Sequence, residues 1–237
     1  MIELSIVLPC YNESENLNQI FESIETILSS KDDLEIILVN NGSTDNSLDI
    51  MNGFKSAFES KSLQIVSIKK NIGYGHGIMT GLKNAKGKVL AWTHADLQTD
   101  LNDVTDAYDI FISKSNIDKY ILKGKRINRN FLDSMFTAGM SFISSLFLRQ
   151  RLFDVNAQPK MFKRDFLKFL NKAPDDFSLD LYFLYQSRKK KFKLIEYPVQ
   201  FNERKHGVSK GGGSLFGKVK LTFRTLKYIL NLKRNLN

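Results

Sequence analysis

Asp96 and Gln98 stand one residue apart, directly after the short apolar run Val89–Trp92. Together they offer two oxygen ligands of the kind a hard divalent cation prefers; Mg²⁺ commonly takes one or two carboxylates and completes its shell with substrate phosphates. A cation held there would neutralise a diphosphate leaving group and lower the barrier to group transfer electrostatically. Two other polar clusters occupy the same setting. Asn12 and Glu13 follow the run Leu4–Leu8 through Pro9, Cys10 and Tyr11, and Asn40-Asn41-Gly42-Ser43-Thr44-Asp45 follows Ile36–Val39. Asn12 and Glu13 have the chemistry to meet ribose or base edges, and equally to cap a helix start. Gly73, Gly75 and Gly77 permit close backbone approach, and a helix beginning there presents N–H groups to a phosphate. Arg126, Arg204 and Lys210 are the candidate anion contacts, Arg by a bidentate fork and Lys as a point charge. Beside Lys210, the run Gly211-Gly212-Gly213 predicts a mobile loop that closes over bound substrate.

Such clusters work only if the fold brings them together. The runs Leu4–Leu8, Ile36–Val39, Leu63–Ile68 and Val89–Trp92 read as buried strands. Helical spacing of Leu17, Ile20, Phe21, Ile24, Ile27 and Leu28 separates the first two, with Ser14 as expected N-cap. Another helix carries Leu48, Met51 and Phe54, and one more follows the glycines and stops near Gly87. Alternation of this kind predicts an α/β fold with a mostly parallel twisted sheet flanked by helices. In open sheets of that kind ligands bind beyond the carboxyl ends of the strands, so the three clusters should share one crevice. Further on, Tyr120–Lys123 and Phe192–Val199 read as strands, and Phe177–Ser187 as a helix. The stretch Phe131 to Leu148 is helical, nearly uncharged and apolar on more than one side, which predicts deep burial or an apolar neighbour. The last helix sets Leu215, Val219, Leu226 and Ile229 near one face among Lys218, Lys220, Arg224 and Lys227. The chain therefore divides into a domain over 1–210 and a basic amphipathic helix over 211–237, fitted to a membrane surface or to capping the domain.

The 237 residues suffice for one sizeable core, and 42% hydrophobic with 25% charged residues is ordinary for a globular chain. No apolar run is long enough to span a bilayer, and no basic-then-apolar secretory pattern opens the sequence. A single cysteine, Cys10, excludes an internal disulfide. A cytoplasmic protein, peripheral to the inner face of a membrane, is the expectation. The net charge of +10 gathers toward the C-terminus, where no Asp or Glu follows Glu203. Basic surfaces attract nucleic acid, anionic membranes or phosphorylated small molecules. No zinc-finger, RRM or helix-turn-helix signature is present, so no nucleic-acid partner is expected.

The ordered set Pro9-x-Tyr11-Asn12-Glu13, Gly42-Ser43-Thr44-Asp45, Asn71-x-Gly73-x-Gly75, Ala95-Asp96-Leu97-Gln98, Gly124-x-Arg126 and Arg204-x-x-Gly207-x-Ser209-Lys210 resembles family 2 glycosyltransferases, in particular the dolichyl-phosphate mannose synthase-like branch. The resemblance covers residues 1 to about 210. It implies a GT-A fold and an inverting transferase that moves a sugar from a nucleotide-diphosphate sugar to a polyprenyl phosphate or lipid-linked acceptor, with Mg²⁺ or Mn²⁺ held by Asp96 and Gln98. It places Pro9, Tyr11, Asn12, Glu13, Asn40, Gly73, Gly77, His94, Ala95 and Asp96 around the nucleotide-sugar, and Arg126, Arg204 and Lys210 on phosphates. Asp180 falls near an acidic position that faces the acceptor in similar enzymes. A saccharide hydroxyl needs such a general base, whereas an anionic lipid phosphate does not. The chain departs from the pattern where Asn40, Asn41 and His94 replace the usual aspartates. A ligating His94 would tilt preference toward Mn²⁺. Asn40 both donates and accepts, which admits CDP beside UDP and GDP as the donor nucleotide. Transfer to a glycan hydroxyl in polysaccharide assembly and nucleotide-sugar binding without turnover are the alternatives.

Overall fold

The computed structural model describes residues 1–58, 60–128, 131–202 and 215–234. Strands β1 (Leu4–Cys10), β2 (Leu34–Asn41), β3 (Leu63–Ile68) and β4 (Val89–Trp92) alternate with helices α1 (Leu17–Ser30), α2 (Ser47–Phe58) and α3 (Tyr74–Asn84). Then come α4 (Asn102–Ile112), β5 (Tyr120–Ile127), α5 (Phe131–Leu148), β6 (Lys160–Lys163), α6 (Leu179–Lys189), β7 (Lys193–Gln200) and α7 (Leu215–Arg234). The strands form one seven-stranded sheet in the order β3-β2-β1-β4-β6-β5-β7. All neighbours pair in parallel except β6, which runs antiparallel to both β4 and β5. The expected α/β, mostly parallel GT-A architecture is thus present.

Successive strand residues face opposite sides of a sheet. Leu4, Ile6 and Leu8 accordingly join a core with α1, α2 and α4, while Val7, Ile37 and Val39 join a second core with α3, α6 and α7. Cover on both faces is why β1 and β2 read as continuous apolar runs rather than as alternating ones. In α1 the six expected apolar residues are the six that are buried, but the helix begins at Leu17 after Asn16 rather than at a Ser14 cap. Two elements were not anticipated, α4 and the lysine-bounded strand β6. Helix α6 starts two residues later than expected.

Helix α5 has its polarity reversed. Ser141 and Ser144 are buried, whereas Phe142 is 69% and Leu146 65% exposed, with Met135 turned outward as well. Residues 135, 142 and 146 share a face at helical spacing. Helix α7 packs against α5. Its Ile229 is fully buried in the second core, so it caps the domain there, while Phe223 and Leu230 lie exposed. Among the described residues no helix is long and apolar enough to cross a membrane.

Candidate active site at the strand ends

Register sets the three polar clusters side by side. Cys10 is level with Asn40 across β1 and β2, Val7 with Trp92 across β1 and β4, and the Thr93 N–H donates to Val7 O at 3.2 Å just past the end of β4. The turns after β1 and β2 are sewn together. Asn12 takes a left-handed conformation, φ 56°; its N–H donates to Ser43 Oγ (3.1 Å), and its Oδ1 accepts from the Thr44 N–H (2.8 Å). Glu13 N–H reaches Ser47 Oγ at 3.0 Å, and Ser14 N–H reaches Asp45 at 3.3 Å. Pro9 and Tyr11 are half-buried on either side of Cys10. Burial pushes the Cys10 thiol far up, with Glu13 adding to it, so this cysteine is no nucleophile.

Asp96 lies beyond β4, 5% exposed, in a loop whose next residue, Leu97, has φ 58°. Its Oδ1 accepts from the Gln98 N–H at 3.2 Å. Gln98 clasps the far strand: its carbonyl accepts from Asn202 N–H (2.9 Å) and its Nε2 donates to Asn202 O (3.2 Å). His94 is half-buried, and Ala95 packs into the first core. Among the described residues no three His, Cys, Asp or Glu gather closely enough to hold a metal by themselves. One carboxylate with an amide oxygen fits a hard cation that draws its remaining ligands from phosphate and water, and does not fit a closed structural site.

Several expected contacts turn inward. Asn40 is buried: its Oδ1 accepts from Ser43 N–H and its Nδ2 donates to Ser67 Oγ, both at 3.0 Å, so reading a base would require breaking these bonds. The close approach that Gly73 and Gly77 permit is to the protein itself. A Cβ on Gly73 would fall 2.2 Å from Asp175 O, and one on Gly77 2.8 Å from the Asn41 side chain. The α3 backbone N–H of His76 likewise donates to Asp175 O at 3.0 Å rather than standing open for phosphate. Arg126 is clamped by Asp154, which accepts from its backbone N–H at 3.0 Å and from its guanidinium Nε and Nη2. Burial alone would raise the Asp154 carboxyl, but the charge and hydrogen bonds of Arg126, with Lys123 beyond, hold it below the usual range. Asp180 is almost wholly buried, with its Oδ1 facing Lys160 Nζ at 3.3 Å and Gln158 Nε2 at 2.9 Å. Arg204 and Lys210 lie outside the described residues.

Sequence reasoning missed Tyr74, Asp154, Gln158 and Lys160. Asp154 and Gln158 come from the polar connection after α5, and only the break from an apolar helix into Asp154-Val155-Asn156-Ala157-Gln158-Pro159 marked it as a shaped turn. This connection and Arg126 meet α5, α6 and α7 around a cleft of about 80 Å³, open on one side, whose walls include Arg126, Met140, Ser144, Phe177, Leu181 and Thr225. Gly124 lets the connection lie against β5. Its N–H donates to Pro159 O at 2.7 Å, and an added Cβ would sit 1.9 Å from Gln158 O. Gly124→Ala is therefore expected to destabilise the fold by about 3 kcal/mol, since backbone cannot yield as a side chain does. A melting temperature within a degree of wild type would show that the contact is not that tight.

The model of glycosyl transferase family 2 matches residues 5–171, and the chain belongs to that family. It is 26% identical over 237 residues to the dodecaprenyl-phosphate galacturonate synthase of Rhizobium johnstonii, covering 98% of this chain and 68% of that one. With the dolichyl-phosphate beta-glucosyltransferase of Dictyostelium discoideum it shares 24% over 219 residues, covering 85% and 67%. The chain thus spans about two thirds of the length of these relatives. In fold it is similar to the glucosyl-3-phosphoglycerate synthase of Mycobacterium tuberculosis, solved with Mn²⁺, UDP and glucosyl-3-phosphoglycerate. The TM-score is 0.72 at 14% identity, over 98% of this chain and 80% of that one.

Proposed function

We propose that this glycosyl transferase moves a sugar, with inversion, from a nucleotide-diphosphate donor to a polyprenyl phosphate at a membrane surface. The relatives named for polyprenyl-phosphate acceptors support this reading. The observation that carries it is the reversed polarity of α5, whose inner side borders the Arg126 cleft while large apolar side chains point away from the protein. An acceptor with an anionic head and a hydrocarbon tail matches that pairing of surfaces.

On the donor side, Tyr11, Asn12 and Glu13 border the nucleoside. Asp96 and Gln98 would hold Mg²⁺ or Mn²⁺, with His94 adding weight to Mn²⁺ where it ligates. When bound, the cation supplies neutralisation of the departing diphosphate. Asp154 engages Nε and Nη2 of Arg126 and so fixes the guanidinium plane, leaving Nη1 as the donor to an acceptor phosphate. Arg204 and Lys210 add further phosphate contacts in this reading. A phosphate acceptor arrives already ionised and needs no general base. Asp180, the base a saccharide hydroxyl would call on, is almost wholly buried against Lys160 and Gln158, which favours the phosphate. Residues 1–210 are the catalytic domain in this reading, and within 211–237 the exposed Phe223 and Leu230 of α7 turn toward the membrane. The protein sits on the cytoplasmic face, where its basic excess meets anionic headgroups.

The direct test incubates the protein with UDP-, GDP- or CDP-linked sugars and a polyprenyl phosphate, with and without Mn²⁺, and looks for a glycosylated lipid by mass spectrometry. Transfer only to a free glycan would overturn the acceptor assignment. Membrane attachment has its own measurement. Each exposed Phe or Leu that enters the interface contributes roughly 1.5–3 kcal/mol. Phe142→Ser with Leu146→Ser should thus weaken sedimentation with anionic vesicles at least about tenfold at low salt without lowering the melting temperature. Equal sedimentation of both proteins would put the contact elsewhere.

A further inference from the structure

The Tyr74 ring is in contact with two others, stacked on Phe177 and tilted against His94. Tyr74, the first residue of α3, lies 4.9 Å from Phe177 at an interplanar angle of 11°, and 5.6 Å from His94 at 31°. His94 belongs to the loop that carries Asp96, whereas Phe177 lines the cleft beside Arg126. The Tyr74 ring is half-buried, and its hydroxyl reaches a polar network in the interior that has no part in the transfer reading above.

That network turns on the amide nitrogen of Gln158, whose Oε1 is buried without a partner. Gln158 Nε2 donates both to the Tyr74 hydroxyl (3.1 Å) and to Asp180 Oδ1 (2.9 Å). A reversed amide would set its oxygen against the carboxylate, so the side chain has one orientation. Lys160, 0% exposed, brings Nζ to the same Oδ1 at 3.3 Å and to the carbonyls of Val155 (2.8 Å) and Ala157 (2.6 Å). Across β5 and β6 it stands level with Lys123, also fully buried, which Glu196 neutralises at 3.0 Å. Burial, and then the charge of Asp180, push the Tyr74 phenol well above its usual range, so it stays a neutral hydroxyl where it accepts the Gln158 amide. A phenylalanine would fill the same place between His94 and Phe177 without any need for a buried ion pair beneath it, and such pairs are costly to bury.

We infer that Tyr74 is a positioning residue: the Lys160–Asp180–Gln158 network pins its hydroxyl, and the ring so fixed sets His94, and with it the Asp96 loop, against the donor. One stacked and one tilted ring contact alone leave a ring free to slide in its plane, and a hydrogen bond at its tip stops that motion. The inference rests on reading the Asp96 crevice as the donor site. Its test uses Tyr74→Phe, which keeps the ring and both neighbours, together with Gln158→Met and the double variant. A misplaced group near the reacting centre costs up to about a hundredfold in rate, so kcat should fall roughly tenfold or more with donor KM within about twofold. The His94 ring signals in proton NMR should move toward those of an exposed histidine in both single variants. The double variant should be no slower than the worse single one, because both changes release the same ring. Wild-type kcat with unmoved His94 signals in Tyr74→Phe overturns the inference, as do losses that multiply in the double variant. Should the wild type transfer no sugar from any donor, the reading of the reaction fails, and the His94 signals still decide whether the pin holds the ring.

Discussion

Asp96→Asn is expected to lower the rate of sugar transfer by roughly a hundredfold to a thousandfold, the loss typical when one preorganised electrostatic group is removed from a reaction centre. The change is nearly isosteric. Its amide oxygen can still accept the Gln98 N–H that now meets Asp96 Oδ1 at 3.2 Å, so the loop should keep its shape. Only the negative charge leaves. Among the described residues no cluster of three acidic or imidazole groups stands by to replace it as a metal site. The affinity for nucleotide measured by calorimetry in Mn²⁺ should fall with the rate, while the melting temperature stays close to that of wild type. A variant within threefold of wild-type kcat would remove the crevice from consideration as the donor site.

Asp154→Ala should be the most destabilising single change near the cleft, by about 3–5 kcal/mol, because it strands the Arg126 guanidinium in a buried place. The two side chains are 5% and 11% exposed, so solvent does little to screen the pair. Adding Arg126→Met should recover part of the loss, which would separate the cost of a stranded cation from the worth of the pair. The pH dependence has a definite sign. Asp154 is held below its ordinary range in the folded protein. Its contribution is therefore complete above the unfolded carboxylate value of about 3.9 and is lost as the pH falls through its lower folded value. Denaturant titrations at pH 7 and near pH 3 should show the gap between wild type and Asp154→Ala narrowing in acid. A constant gap would mean that the carboxylate charge is not what Arg126 needs.

The donor half of the molecule was legible because its signals are local. Leu4–Leu8, Ile36–Val39 and Val89–Trp92 are short apolar runs ended by polar turns, and covering both faces of the sheet makes such runs the expected pattern. The periodicity of α1 named its buried face residue by residue. Illegibility begins where a residue's partner lies far along the chain. Lys160-Met161-Phe162-Lys163 is the strand β6, and nothing beside it in sequence announces that Asp180 neutralises the buried Lys160. Asn40 and Arg126 have the chemistry of ligand contacts, and nothing adjacent in sequence announces that Ser67 and Asp154 already hold them. For α5 the sequence revealed apolar residues on more than one side, but not that Ser141 and Ser144 would face the protein and Phe142 the outside.

The antiparallel strand β6, which pairs with the central strand β4, has a consequence for biosynthesis. Val89–Trp92 pairs on one side with β1, available early, and on the other with Lys160–Lys163, which leaves the ribosome some seventy residues later. Until then the nascent polypeptide carries an apolar strand with one row of amide and carbonyl groups unmatched, the kind of margin at which chains associate with one another. At the ribosome, the interval between translating Trp92 and Lys160 is thus the time of greatest exposure to self-association and to chaperone capture.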